Sequence, residues 1–179
     1  MHINEVKTAI KVGDFVLRKG SKNKISFQYS PNLNKKTLSD DSARIYLITQ
    51  DGIIKKIGGS IQTGGIKGTI SFYIGAMTGS PGRPRFIVHL LIEKALKSGS
   101  KVALYMITSP KTSAKVSGLF ETKKMKIASF KEMEDLCKFD YYSKEKKYPD
   151  WNFQENHQPY PPELERKFMA YHRKRLSKK

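Results

Sequence analysis

The chain has 179 residues, and 34 Lys plus Arg against 16 Asp plus Glu leave a formal net charge of +18. Apolar residues at 38% and aromatics at 11% suffice for a packed core, so a disordered chain is excluded, and the charge calls for a polyanionic partner, nucleic acid before an anionic membrane surface. The most apolar stretch, residues 86–92, falls far short of the ~20 residues of a membrane span, the start lacks the apolar centre of a secretory leader, and the single Cys137 has no partner for a disulfide or a zinc cluster; the expectation is a soluble cytoplasmic protein with no membrane partner.

Residues 1–42 read as an N-terminal accessory segment. Residues 9–17 hold one or two short strands, and 18–42 are basic, polar and turn-rich. From Arg44 the pattern sharpens into a second unit covering 43–179. Ile45-Tyr46-Leu47-Ile48-Thr49 is β-branched and aromatic, Asp51-Gly52 is a strong hairpin turn, and Ile53 to Gly58 is the returning strand. Residues 61–83 are rich in Gly, Thr and Ser, with no clear local structure. Pro81 and Pro84 mark a helix entry, and an apolar helix over 85–97 follows, stopped by Ser98-Gly99-Ser100. Residues 102–107 are a buried strand. Residues 111–160 alternate charge and aromatics, with a short helix near 129–138 and an extended aromatic loop beyond it. The last helix runs from about Pro162 to Leu176, with Glu163 and Glu165 in its first turn, where they complement the helix dipole. Leu164, Phe168 and Tyr171 face its core side. The fold class is α+β, a small, mainly antiparallel sheet flanked by helices.

The hairpin carries the first candidate chemistry. Tyr46 lies on one strand and Lys55 and Lys56 on the other, and alternation lets Tyr46 share a face with one lysine only. An adjacent ammonium favours the phenolate, and so makes a base from a group that ordinarily titrates near ~10. Taken alone, a tyrosine beside two strand lysines is ordinary in a basic protein.

This order of elements resembles the GIY-YIG nuclease superfamily, and within it the small type II restriction endonucleases. Arg44-Ile45-Tyr46 stands where that family has Gly-Ile-Tyr. Lys56-Ile57-Gly58 stands where it has Tyr-Ile-Gly, with nine residues between Tyr46 and Lys56. The segment from Ser71 to Tyr105 and the late helix from Glu165 to His172 also resemble that branch. Tyr73-Ile74-Gly75 spells the signature literally, but with 26 residues between Tyr46 and Tyr73 it comes too late to be the hairpin partner; Tyr73 or Phe72 is a candidate to line the site. Two features depart from the family. No Arg stands in residues 61–68, where Lys67 is the nearest cation, and Gly59 occupies the place of the family's His. Lys offers a point charge where Arg offers a fork.

The resemblance implies a site-specific endonuclease that hydrolyses double-stranded DNA with one divalent metal, Mg²⁺ (or Mn²⁺), held by a single carboxylate, waters and phosphate oxygens. In that reading Glu165 is the metal ligand, with Glu163 as the alternative. Tyr46 is the general base, Lys56 or Lys55 its cationic neighbour, and Lys67 the cation facing the phosphate. Arg83, Arg85, Lys55, His172, Arg173 and Arg175 are candidate DNA contacts, and the tail through Lys179 a phosphate-binding end. Cutting both strands with one site per chain implies a homodimer. Two other readings compete. Glu121-Thr122-Lys123 matches the acid-x-Lys end of a PD-(D/E)xK site, with Asp51 as the upstream acid, and a non-catalytic basic nucleic-acid-binding protein satisfies the same charge.

Overall fold

The computed structural model describes residues 1–40, 42–61, 64–109, 112–127 and 130–177. In chain order the elements are β1 (Ile10–Leu17), β2 (Ile25–Tyr29), α1 (Lys35–Ser39), β3 (Ala43–Gln50), β4 (Ile53–Ser60), α2 (Gly65–Ile74), α3 (Arg83–Lys97), β5 (Val102–Ser109), β6 (Thr112–Ser117), β7 (Thr122–Ile127), α4 (Phe130–Glu145) and α5 (Pro162–Leu176). Five strands form one antiparallel sheet in the order β2-β1-β5-β3-β4, and β6 and β7 pair separately. No helix among the described residues is long and apolar enough to cross a membrane.

The architecture follows from strands buried on two faces. In β3, Ile45 and Leu47 join Ile54, Ile57 and Tyr141, under α4. Ile48 and Tyr46, on the opposite face, join Val88 and Ile92 of α3 and Ile66, Ile70 and Tyr73 of α2. A strand covered on both sides reads as a continuous apolar run, which residues 45–48 are. Each fully buried aliphatic side chain contributes roughly 1.5–3 kcal/mol. The β3–β4 turn is tight, with positive φ at Asp51 and Gly52. Asp51 Oδ1 accepts the Lys101 backbone N–H at 2.8 Å, tying the turn to the start of β5.

The strands of residues 10–29 belong to this same sheet. β1 pairs with both β2 and β5, and Val12, Phe15 and Ile25 enter the main core. The unassigned Gly-rich stretch holds α2, whose apolar face packs on the sheet although its run of Gly, Thr and Ser disguises the period. Helix α4 extends to Glu145, taking in residues expected in the aromatic loop, and β6 and β7 form a hairpin where no strands were expected. Leu164 and Phe168 of α5 bury against Phe86 and Leu90 of α3, as the spacing of the last helix requires.

Candidate active site

Strand β4 is a sheet edge, and its register orders the side chains. Tyr46 stands opposite Gly58, and Ile48 opposite Lys56. Directly paired positions, and those two along, share a face, so Lys56 lies on the face of Tyr46. Lys55, the extra residue where the register shifts, pairs with Asp150 at 2.7 Å. That ion pair ties Lys55 to the segment after α4.

Gly58 lets the phenol lie across β4, since a Cβ there would stand 2.3 Å from the Tyr46 hydroxyl oxygen. Beyond it, the Tyr46 and Tyr73 hydroxyls hydrogen-bond at 2.7 Å, with the rings edge to face. Tyr73 thus enters the site from α2.

Two further pieces close the pocket. Helix α4 brings Glu134 so near β4 that a Cβ on Gly59 would stand 2.6 Å from Glu134 Oε2. The buried Lys138, one turn on, pairs with Glu134 Oε1 at 2.6 Å and with Glu155 Oε1 at 2.5 Å. The segment 147–160 seals the free edge of β4. Trp151 donates its N–H to the Lys55 carbonyl at 2.8 Å. The buried Asn152 amide accepts from the Ile57 N–H at 2.9 Å and donates to the Ile57 carbonyl at 3.0 Å. An edge strand needs such partners for its main-chain groups. This docking delivers Glu155, and a cavity of about 150 Å³ remains, lined by Tyr46, Lys56, Gly58, Glu134, Glu155 and Tyr160 among others.

The electrostatics reverse one expectation. Burial pushes the Tyr46 phenol up to about 12, the bond from Tyr73 opposing and Glu134 reinforcing the rise. Burial also holds Lys56 below its ordinary value, partly offset by the carboxylate of Glu155. Desolvation disfavours the charged form of both groups, so the resting Tyr46 is a neutral phenol and not a phenolate maintained by lysine. Lys56 makes no hydrogen bond or ion pair among the described residues.

The remaining candidates lie elsewhere. Glu165 does not line the cavity. Its Oε1 pairs with Arg83 Nε at 3.3 Å and its buried Oε2 has no hydrogen-bond partner among the described residues. Glu163 is exposed and pairs with Lys94 at 3.5 Å. The carboxylates that line the Tyr46 pocket are Glu134 of α4 and Glu155 of the segment after it, because α4 and not α5 packs on β3 and β4. Lys67 is exposed on α2. Arg83 lies over the Phe168 ring at 5.5 Å and Arg85 over Phe72 at 4.1 Å. His172 stacks on Phe168 and meets Arg175 at 3.4 Å, and Arg173 is exposed at the end of α5. Gln62 and Thr63 in the connector, and Lys178 and Lys179 in the tail, lie outside the described residues. Glu121 and Lys123 pair with each other at 2.7 Å on the β6–β7 hairpin, while Asp51 is occupied by backbone, so they form no PD-(D/E)xK site.

Sequence reasoning missed Glu134, Lys138, Asn152 and Glu155. Glu134 and Lys138 do carry a signal, an acid–base pair at i,i+4 beside Met133 and Cys137 on the buried stripe of α4. Among the described residues no group of three or more His, Cys, Asp or Glu converges. A protein-only metal cage is therefore not built there, whereas one or two carboxylates beside an open cavity fit a hard cation that keeps water and phosphate ligands. The ammonium of Lys138 lies between Glu134 and Glu155 and compensates part of their charge.

No protein-family model matches this chain, and no curated protein matches its sequence. Among solved structures, a bacteriophage T4 EndoII mutant aligns with a TM-score of 0.55 and 23% identity, over 85% of this chain and 98% of that one. The chain shares the fold of EndoII. Restriction endonuclease HPY188I, in complex with product DNA, aligns with a TM-score of 0.48 and 16% identity, over 82% of this chain and 80% of that one. The EndoII likeness supports the expected α+β architecture of an antiparallel sheet flanked by helices.

Proposed function

We propose that this chain is a metal-dependent DNA endonuclease with a GIY-YIG-like site, acting on double-stranded DNA as a type II restriction enzyme. The observation that carries the reading is the convergence of Tyr46, Lys56 and Glu134 on one cavity at the edge of the β3–β4 hairpin. A phenol, an amine and a carboxylate are what phosphodiester hydrolysis needs there: a proton acceptor for water, a charge for the phosphorane and an oxygen ligand for a metal. The +18 charge supplies affinity for the phosphate backbone. The solved complex of HPY188I with product DNA is in keeping with such a substrate.

Glu134 would hold Mg²⁺ or Mn²⁺, with Glu155 beside it and Lys138 paired with both. A divalent ion supplies Lewis-acid polarisation of the phosphate, together with a positive potential that opposes the burial cost of a Tyr46 phenolate. Tyr46 takes the proton of the attacking water, and Tyr73 fixes the direction of its hydroxyl. Lys56 places its charge beside the phosphate oxygens, and Lys67 of α2 adds a second cation. Duplex cleavage with one such site per chain calls for a homodimer.

Plasmid DNA incubated with Mg²⁺ or with EDTA tests the reading. Discrete metal-dependent fragments that vanish in Glu134→Ala and persist in Glu165→Ala are expected. Retarded but uncut DNA under both conditions would overturn it in favour of a non-catalytic nucleic-acid-binding protein.

A further inference from the structure

The β6–β7 hairpin is an arm that the site does not use. Every described side chain from Ser113 to Met125 is exposed except the half-buried Ala114. At its tip Leu119 is 94% and Phe120 97% exposed. Two adjacent large apolar side chains that gain nothing from the fold mark a surface that meets a partner. An isolated two-stranded hairpin is itself only marginally stable.

The shaft behind the tip identifies the partner. Lys115 stands directly opposite Lys124 across the ladder. Facing like charges oppose pairing, and a polyanion relieves that cost. The Ser117 and Thr122 hydroxyls, paired at 3.1 Å, lie on the same face and can donate to phosphate oxygens. The other face carries Val116 and Met125, with Lys123 held by Glu121. Six-residue strands rise about 20 Å, enough to cross a DNA groove. A second copy of this chain fits less well. Leu119, Phe120, Val116 and Met125 are four apolar side chains, against the roughly 20–30 residues a side of a stable interface, and two such arms would set lysine pairs against lysine pairs.

We propose that the arm is a DNA wedge: Leu119 and Phe120 enter between two base pairs and unstack them, while Lys115, Lys124 and the neighbouring hydroxyls grip the flanking phosphates. Apolar side chains act in this way at the grooves of kinked DNA, and flexible pyrimidine–purine steps yield most easily. The proposal rests on duplex DNA being the substrate, and it adds distortion of that substrate, at a point remote in sequence from the cavity.

The test measures binding without cutting. The full chain, in EDTA, is titrated into duplexes carrying 2-aminopurine at a TA step, with fluorescence reporting unstacking, anisotropy reporting affinity and sedimentation reporting the oligomeric state. Wild type is expected to raise the fluorescence. Leu119→Ser/Phe120→Ser is expected to abolish the rise and to weaken binding about tenfold, with the circular dichroism melt unchanged. Lys115→Gln/Lys124→Gln is expected to keep the rise and to lower the slope of log affinity against log salt by about 2. A wild-type complex with no fluorescence rise at any TA step, or an unchanged rise in the tip variant, overturns the wedge. So does a tip variant that turns a dimer into a monomer while DNA affinity per chain is kept, since the occupant is then a second copy. Plasmid cleavage with Mg²⁺ is scored separately: unstacking without cutting leaves the wedge standing and removes the nuclease reading alone.

Discussion

Two antiparallel hairpins of similar build meet opposite fates in this chain. The β3–β4 hairpin is covered on one face by α2 and α3 and on the other by α4, and Asn152 and Trp151 seal its free edge. The described side chains of the β6–β7 hairpin, from Ser113 to Met125, are covered on neither face. Each carries lysines, but Lys56 is half-buried in a cavity where burial lowers its proton affinity, whereas Lys115 and Lys124 stand in water. The lesson is that packing, and not residue type, turns a strand lysine or tyrosine into a chemically altered group. Burial moves Tyr46 to about 12, and solvent keeps the arm's side chains available for a partner.

The largest effect that separates the two hairpins is chemical. Tyr46→Phe is expected to lower the cleavage rate by about 10²–10⁴-fold with little change in melting temperature. If the phenolate is the active form, the wild-type rate should rise with pH, about tenfold per unit over the range in which Tyr46 rests neutral, and a pH–rate profile of Tyr46→Phe should lose that limb. Stopped-flow or quenched cleavage at fixed metal measures both; an unchanged profile would remove Tyr46 from the chemistry.

Next comes a matched pair of glycines. Gly58→Ala forces a Cβ to within 2.3 Å of the Tyr46 hydroxyl oxygen, and a destabilisation of about 1–3 kcal/mol is expected in urea unfolding. In Gly118→Ala, at the arm's turn, the new Cβ meets only the Glu121 carbonyl at 3.3 Å, and the change should stay within about 0.5 kcal/mol. Equal effects would mean that the arm is packed after all.

Lys56→Met should stabilise the fold by about 0.5–2 kcal/mol while cleavage falls, because it removes a half-buried ammonium with no ion-pair partner among the described residues. The pH dependence has a definite sign. The folded value lies below the ordinary 10.5, so the unfolded chain binds more protons as pH rises between the two. Wild-type stability therefore increases through that window, and the advantage of Lys56→Met narrows. Thermal melts of both proteins across alkaline pH check it. The smallest effect belongs to the arm. Lys115→Thr relieves the facing Lys124 and should gain about 0.2–1 kcal/mol.

How much was legible follows the same division. The β3–β4 hairpin could be read because Asp51-Gly52 is a local turn signal between two apolar runs, and the last helix because Leu164 and Phe168 recur with its period. Helix α2 was hidden, since its glycines and Ser/Thr weaken a helical pattern that packing on the sheet restores. The arm was hidden for another reason: its strands have no covered face, so their residues do not alternate between apolar and polar. The proposed metal carboxylate differs from the one expected from the sequence because two helices follow β5 and each carries acids. Glu165, in a first turn, looked the more distinctive, yet Glu134 is the one that α4 lays over Gly59.

The sequence by itself determined the basic character, the α+β class, the β3–β4 hairpin and the pairing of a tyrosine with a lysine one strand away. These are encoded by neighbours along the chain, through charge, turn chemistry and side-chain alternation. Only the tertiary structure decided which lysine shares the tyrosine's face, which glutamate reaches them, and that Tyr46 rests as a neutral phenol. Those outcomes depend on the register of β4, on the helix that crosses it, and on how much water the closed cavity excludes, and each of these is set by contacts between residues far apart in the chain.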